Sequence, residues 1–158
     1  HPLLARPSLH AGWVQGGSGI STYPDSCVVT VERRTIPGET PEGAKREVEA
    51  ACAAVRALRP EFSARVELQF SQPPSDVATD APIVVELTKI LRPRSLPTQP
   101  AGMSAWTDAA LLNAAGIPAI CFGPGDMGLA HAATEYIEAR EVEQATDVLV
   151  DFALSWCR

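Results

Sequence analysis

Long apolar runs, dense basic clusters and closely spaced cysteines are all missing from this chain. No apolar run approaches the roughly 18 residues that a membrane-spanning helix needs, and the N-terminus has no charged-then-apolar secretory pattern. The cysteines lie far apart, each inside an apolar stretch, so we interpret them as buried thiols of a cytoplasmic protein rather than as a zinc knot or a disulfide framework. They are Cys27, Cys52, Cys121 and Cys157.

The charge balance is acidic, with 19 Asp and Glu against 13 Lys and Arg and a formal net charge of -6. Surfaces that bind nucleic acid or anionic membranes need clustered Lys and Arg. Only Arg33-Arg34 and Arg92-Pro93-Arg94 are dense basic points here, and both are short. We therefore expect no nucleic-acid partner and no membrane partner. With 158 residues and 46% hydrophobic content, the chain can form one core of ordinary size or two small ones.

The first part of the chain follows the order strand, strand, helix, strand. Residues 8–15 predict a strand that ends in a glycine pair, and alternation over 27–32 predicts a second strand, buried on one face and partly on the other. Thr40 is placed to cap a helix over 40–59 that carries an apolar stripe at steps of three or four. Strict alternation over 64–70 gives the clearest half-buried strand.

The second part begins after a proline-rich segment, 71–76, that cannot continue a strand or a helix. Helices are predicted over 81–91 and from about 107 to 115. The continuous apolar run 117–122 is typical of a strand covered on both faces. The last helix is predicted over 140–156, with Val142, Ala145, Leu149, Phe152 and Trp156 on one side.

This order of elements indicates two α/β layers and a fold in the α+β or α/β class. The proline-rich segment separates two predicted domains, 1–72 and 76–158.

A glycine-rich loop, Phe122–Glu138, carries one histidine with a glutamate four residues later and leads into the last helix. Together with Trp106–Leu112 and Gly116–Phe122, this loop resembles the C-terminal end of the M20 metallopeptidase family. These are two-zinc amidohydrolases that include acetylornithine deacetylase, succinyl-diaminopimelate desuccinylase, aminoacylase and carboxypeptidase G. The resemblance covers nearly the whole chain, yet it matches only the second half of such an enzyme.

The resemblance implies a domain assignment. In the family, a small ferredoxin-like lid domain, often the dimerisation surface, is inserted into a larger zinc-binding α/β domain. Residues 1–72 resemble an incomplete ferredoxin-like lid without its first strand and first helix, and 76–158 resemble the closing α/β segment of the catalytic domain. The helix over 40–59 would then support a homodimer.

The resemblance also assigns residues to a site. His131 matches the family's last metal-binding histidine, although a loop histidine bonded to nearby backbone is the alternative. Glu135 is expected to orient His131 or to start the next strand, and not to bind metal. Gly123 lies where the family's loop approaches the substrate carboxylate, but a tight turn also explains it. Thr107 and Asp108 match a Thr-Asp-Ala segment near the site, and helix capping explains them equally well.

A second group of candidates lies in the first domain. The segment Val31–Glu39 resembles the family's D-x-R-x-x-P-G-E pattern, with Glu32 in place of the usual Asp. By resemblance, Arg34 reaches the substrate carboxylate, since a guanidinium can donate two parallel hydrogen bonds. A solvated charge at the strand end is the alternative. Ser21 stands where an asparagine often holds the substrate or oxyanion, and this departure weakens a donor role for Ser21.

A two-zinc site needs several ligands for each ion and a position for water. His131 is the one credible ligand here, because no histidine begins an H-x-D and the chain contains no Glu-Glu pair. The resemblance therefore implies two zinc ions in the complete enzyme, at most one ligand from this chain, and a general base upstream.

We interpret the chain as part of a zinc-dependent amidohydrolase that cleaves an amide or peptide bond beside a free carboxylate, and as inactive alone. Its substrate would be a small N-acyl amino acid or peptide. The alternative is a non-catalytic binding or oligomerisation module derived from such an enzyme.

Overall fold

The computed structural model describes residues 1–157 of the chain. They divide into two units, the first running from His1 to Pro74 and the second beginning at Ser75. The division falls within the proline-rich segment 71–76. The assignment of these units to a lid and a catalytic segment stays a prediction. Together they hold one two-stranded sheet and four α-helices, which makes the described fold mixed α/β.

The first unit opens with an antiparallel hairpin of β1, Ser8–Gly16, and β2, Cys27–Arg34. The register pairs the first residue of β1 with the last residue of β2 and closes the hairpin at its other end with Gly16 opposite Cys27. A bulge at Gly12 leaves that residue without a partner, which is a common use of glycine in a strand. Both strands lie where the sequence predicts them.

Helix α1, Pro41–Leu58, follows a turn and begins as expected. The Thr40 hydroxyl accepts a hydrogen bond from the Gly43 amide at 3.1 Å, and proline at the first helical position needs no amide partner. The predicted stripe is partly buried over its first half and exposed at Val55 and Leu58, and none of its residues is fully buried.

Two predictions for the first unit are wrong. Residues 64–70 form no strand, and Phe70 is 74% exposed. A strand needs a hydrogen-bonded neighbour, and β1 and β2 pair only with each other within residues 1–157. The second error concerns burial in β2, where Val28 and Val29 point to opposite faces and are 61% and 51% exposed. In both segments, the alternating apolar residues therefore lie on a surface that the described residues do not cover.

The second unit holds three helices, α2 over Pro82–Leu91, α3 over Ala109–Ala114 and α4 over Ala139–Trp156. Short 3-10 helices occupy Arg92–Arg94 and Met127–Leu129. The core forms where α2 meets α4, around Leu87, Leu91 and Val148, with partly buried Ile90, Leu96, Ile120, Phe122 and Phe152 packed against it.

The helices of this unit agree with the sequence, but one strand and one buried stripe do not. The run 117–122 forms no strand, and it is held instead by Asn113, whose side-chain amide bonds both the N–H and the C=O of Ala119. On α4, Ala145 and Val148 are buried, whereas Leu149 is 49% exposed. Val148 and Leu149 both lie near the predicted apolar stripe of α4. Of the two, Val148 is the one that packs against α2.

The cysteines require a further correction. All four are unpaired thiols, but three of them are exposed and Cys52 is only partly buried, so they are not the buried thiols predicted. The reason is the same as for β2, because the apolar stretches that contain them remain uncovered. None of the helices in residues 1–157 combines the length and the apolar character that crossing a membrane requires.

Candidate functional site

His131 lies just after the 3-10 helix Met127–Leu129 and has a positive φ of 64°. A left-handed backbone is uncommon outside glycine, although histidine adopts it more often than most residues. The His131 amide donates to Oε2 of Glu135 at 3.1 Å, so this carboxylate holds the backbone and not the imidazole ring. Glu135 thus fixes the conformation of the chain at His131. That is a more indirect way of orienting the histidine than the sequence suggested.

The glycine loop before His131 is anchored to α4. Gly125 has a φ of 92°, which favours glycine, and its amide donates to Oε2 of Glu141 at 3.0 Å. The Asp126 carboxylate then accepts from the Gly128 amide at 2.8 Å and begins the 3-10 helix. A side chain at Gly123 would meet nothing within 4 Å. The turn therefore explains Gly125, while Gly123 leaves open space beside the backbone.

Thr107 and Asp108 precede α3, where the sequence offered capping as an explanation. Asp108 occupies the cap position, but its side chain makes no capping hydrogen bond. Capping therefore does not account for its carboxylate. The Thr107 hydroxyl lies 3.3 Å from the Cys121 thiol and links the residue pair before α3 to the segment that leads into Gly123.

Arg34, the last residue of β2, is paired on one side only. Its Nε donates to Oε1 of Glu32 at 2.5 Å, and within residues 1–157 neither of its Nη groups has a hydrogen-bond or ion-pair partner. Its side chain is 51% exposed. The hydrogen bond from Arg34, reinforced by its charge and that of His10 when protonated, lowers the pKa of the Glu32 carboxyl below its usual range. His10 lies across the hairpin, with its Nε2 3.8 Å from Oε2 of Glu32.

Arg33 is bound very differently from its neighbour, and the sequence analysis predicted no role for it. Its guanidinium donates to both oxygens of Glu39, at 2.7 and 3.3 Å, and to both oxygens of Glu47, at 3.0 and 3.2 Å. The same group donates to the carbonyl of Arg34 at 2.7 Å. The side chain is 13% exposed, and its two carboxylate partners raise its pKa.

The remaining candidate, Ser21, lies exposed in the hairpin loop between β1 and β2. The structure therefore places Arg34 and Ser21 in the first unit, and places Thr107, Asp108, Gly123, His131 and Glu135 in the second. Direct contacts join His131 to Glu135. Within residues 1–157 no hydrogen bond or ion pair joins Ser21 to Arg34.

The donors in the described residues do not fit a complete two-ion centre. Across residues 1–157 no three His, Cys, Asp or Glu side chains are grouped so that they could hold a metal ion. The Glu135 carboxylate accepts a hydrogen bond from the backbone amide of His131, so that oxygen is already engaged. A metal role for His131 therefore stays a prediction and needs ligands from elsewhere.

Sequence reasoning missed three supporting residues, namely Arg33, Asn113 and Glu141. One signal was present for Arg33, because a Pro-Gly turn followed by Glu39 can return a carboxylate to the strand end. The bonds of Asn113 to Ala119 and of Glu141 to Gly125 span six and sixteen residues and follow no local pattern.

Comparison with known proteins gives the family. The family model described as "Peptidase family M20/M25/M40" matches residues 7–155. The chain therefore belongs to this family of hydrolases, as the motifs of the glycine loop predicted.

Individual relatives agree with this placement. An acetylornithine deacetylase from Myxococcus xanthus is 27% identical over 150 residues, covering 95% of this chain and 38% of the relative. A Mycobacterium tuberculosis protein named "Putative succinyl-diaminopimelate desuccinylase DapE" is 30% identical over 145 residues, covering 91% and 37%. A Bacillus subtilis N-formyl-4-amino-5-aminomethyl-2-methylpyrimidine deformylase is 39% identical over 51 residues, covering 32% and 12%. The chain thus spans less than two fifths of the length of these curated relatives.

Proposed function

We propose that this chain is the part of a zinc-dependent amidohydrolase that recognises the carboxylate of the substrate and contributes one metal ligand. The substrate class is a small N-acyl amino acid or peptide cleaved beside a free carboxylate. Family membership supports hydrolysis, and the names of the relatives denote removal of an acetyl, a succinyl or a formyl group.

The observation that carries the proposal is the contrast between the two adjacent arginines. Arg33 is surrounded by two carboxylates and a carbonyl, whereas Arg34 is half exposed and contacts Glu32 through Nε alone. The Nη edge of Arg34 can therefore donate two parallel hydrogen bonds to a carboxylate. The Glu32 carboxylate holds the Arg34 guanidinium through Nε and leaves the Nη edge unused. Such an arrangement suits an incoming anion better than it suits a structural ion pair.

His131 is proposed as the one metal ligand from this chain. Its support is the strained backbone fixed by Glu135, since unusual backbone conformations are often retained at functional sites. Gly123, Thr107 and Asp108 are proposed to line the same part of the site, and Ser21 to contact substrate. Because the described donors do not complete a metal centre, the general base and the other ligands belong to segments beyond this chain.

A homodimer formed through the first unit is also part of the proposal. The hairpin exposes Trp13, Val14, Val28 and Val29, and an exposed two-stranded sheet with free edges favours pairing with a further chain. Sedimentation of the protein should show a dimer that Val29→Lys weakens. A monomer at all concentrations would contradict this part of the proposal.

A cytoplasmic location completes the proposal. The exposed unpaired thiols suit a reducing compartment, where cysteines stay free. Recovery of the protein in a secreted or periplasmic fraction of its cells would contradict it.

The alternative function is a non-catalytic binding or oligomerisation module derived from such an enzyme. The test uses protein expressed from the full reading frame that encodes this chain, loaded with zinc. We expect hydrolysis of at least one of acetylornithine, N-succinyl-diaminopimelate and a dipeptide, and loss of hydrolysis on removal of zinc. A reading frame that supplies no H-x-D or Glu-Glu segment, together with no turnover of these compounds, would favour the module.

A further inference from the structure

Arg33 stands out among the charged groups of the first unit, because a single guanidinium joins three segments of the chain. It contacts Glu47 on α1, Glu39 after the Pro-Gly turn, and the backbone carbonyl of Arg34 at the end of β2. The hydrogen bond to the Arg34 carbonyl is 2.7 Å long. One of these contacts therefore holds the backbone of Arg34, the residue that the proposed function places against the substrate.

Successive residues of a strand point to opposite faces, so Arg33 and Arg34 divide the end of β2 between them. Arg33 points to the face on which Glu47 of α1 pairs with it. Arg34 points to the other face and stays half exposed. A change at Arg33 therefore acts on Arg34 through the backbone and not through a shared contact with the substrate.

The turn after β2 is held by the same network. The carboxylate of Glu39 accepts the Ile36 amide at 2.9 Å as well as the two bonds from Arg33. The Glu39 amide in turn donates to the carbonyl of Ile36 at 3.1 Å. The backbone from Arg34 to Glu39 is thus fixed at both ends. This is the segment whose position sets where the Arg34 guanidinium lies.

We propose that Arg33 is a positioning residue, which holds the backbone of Arg34 so that the free Nη edge of its guanidinium meets the substrate carboxylate. A guanidinium suits this task, because its planar fork makes several directed hydrogen bonds at once and stays charged. Lysine would keep the charge but not the fork. Misplacing a substrate-binding group by about 1 Å can cost on the order of a hundredfold in rate.

This inference rests on the proposed role of Arg34, and a double-mutant cycle separates the two. The protein comes from the full reading frame, and the probe is acetylornithine, or N-succinyl-diaminopimelate if that is the compound turned over. Arg33→Lys should raise KM roughly five- to fiftyfold and change kcat less than threefold. In an Arg34→Ala background, Arg33→Lys should change kcat/KM by less than twofold, because the group that it positions is gone.

The matched control is Lys45→Met, which removes an exposed ion pair with Glu49 on α1 without touching Arg33. It should leave KM within twofold of the parent. A thermal melt of each variant tests folding, and Arg33→Met serves as a second variant if Arg33→Lys melts early. Across these variants, the rise in KM should not follow the fall in melting temperature.

Three results decide the matter. If Arg34→Ala leaves KM and kcat/KM unchanged, the proposed function is wrong. If Arg34→Ala weakens turnover and Arg33→Lys does not, only the positioning role is wrong. If Arg33→Lys lowers kcat/KM equally with and without Arg34, or in proportion to lost stability, Arg33 has a structural role alone and the inference is overturned.

Discussion

Two neighbouring arginines at the end of β2 show how strongly local contacts divide the roles of identical side chains. Arg33 makes five hydrogen bonds to two carboxylates and a carbonyl, and Arg34 makes one. Alternation along a strand places them on opposite faces, but it does not say which face α1 covers. The sequence therefore identified the pair without distinguishing the two residues by their contacts. The resemblance to D-x-R-x-x-P-G-E selected Arg34, and its role at the substrate stays a prediction.

His131 leads to a prediction about metal content. In zinc-loaded protein from the full reading frame, His131→Ala should lower bound zinc by about one ion per chain, because losing a ligand weakens a site before it changes the substrate contacts. Metal analysis after dialysis measures this. His10→Ala is the matched control and should retain the zinc of the parent. If the zinc content of His131→Ala also matched the parent, His131 would be the loop histidine that we gave as the alternative.

Glu39 leads to a prediction about acid stability. Hydrogen bonds from Arg33, and then from the Ile36 amide, lower the pKa of the Glu39 carboxyl in the folded state. The ionised form is therefore favoured by folding, so its contribution is complete above about pH 4.5 and is lost as the pH falls through the lower folded pKa. We expect Glu39→Gln to flatten the dependence of urea unfolding on pH between about 5 and 3.

The control for this acid test is Glu49→Gln, which removes a carboxylate that only pairs with Lys45 at the surface of α1. Its unfolding should follow the pH dependence of the parent. A Glu39→Gln profile that also followed the parent would show that the Arg33 network does not stabilise the ionised carboxylate.

At the scale of elements, the helices were predictable and the third and fourth strands were not. Helices α1, α2 and α4 carry their own signals, such as the Thr40 cap and apolar residues at steps of three or four. The segments 64–70 and 117–122 have the composition of strands, but a strand also requires a neighbour with matching register. Within the described residues the first lacks that neighbour, and the second is held by Asn113 instead.

The packing of α4 leads to a prediction about stability. Val148 is fully buried against α2, whereas its neighbour Leu149 is half exposed. Val148→Ala should lower the free energy of unfolding by about 2 to 3 kcal/mol, from lost burial and a residual cavity. Leu149→Ala should lower it by less than about 1 kcal/mol. Denaturant unfolding followed by helical circular dichroism gives both values, and a larger effect at Leu149 would contradict the assigned face.

At the scale of the whole molecule, the candidate residues are distributed over two units. Arg34 lies in the first unit, and the glycine loop with His131 lies in the second. All five buried hydrophobic residues among residues 1–157 lie in the second unit, while the first exposes apolar residues on both faces of its hairpin. The chain also spans less than two fifths of the length of its relatives. These facts fit a part that works with further segments.

This leads to a prediction for the chain in isolation. The 158-residue chain should show no zinc-dependent hydrolysis of acetylornithine, N-succinyl-diaminopimelate or dipeptides, because its described donors do not complete an open catalytic metal site. Product release assayed at high protein concentration with added zinc measures this. Turnover by the isolated chain that His131→Ala abolished would show that further segments are not required.

The central claim is that Arg34 binds the carboxylate of the substrate. Its most direct test compares kcat/KM for the preferred substrate and for the same compound with that carboxylate converted to a primary amide. In protein from the full reading frame, Arg34→Ala should lower kcat/KM for the carboxylate roughly thirtyfold to several thousandfold, since truncating a buried charge pair costs about 2 to 5 kcal/mol. It should change the amide less than threefold and retain zinc. Arg65→Ala, at an exposed arginine of the same unit, should change neither. Equal losses on both compounds, or no loss on the carboxylate, would contradict the account.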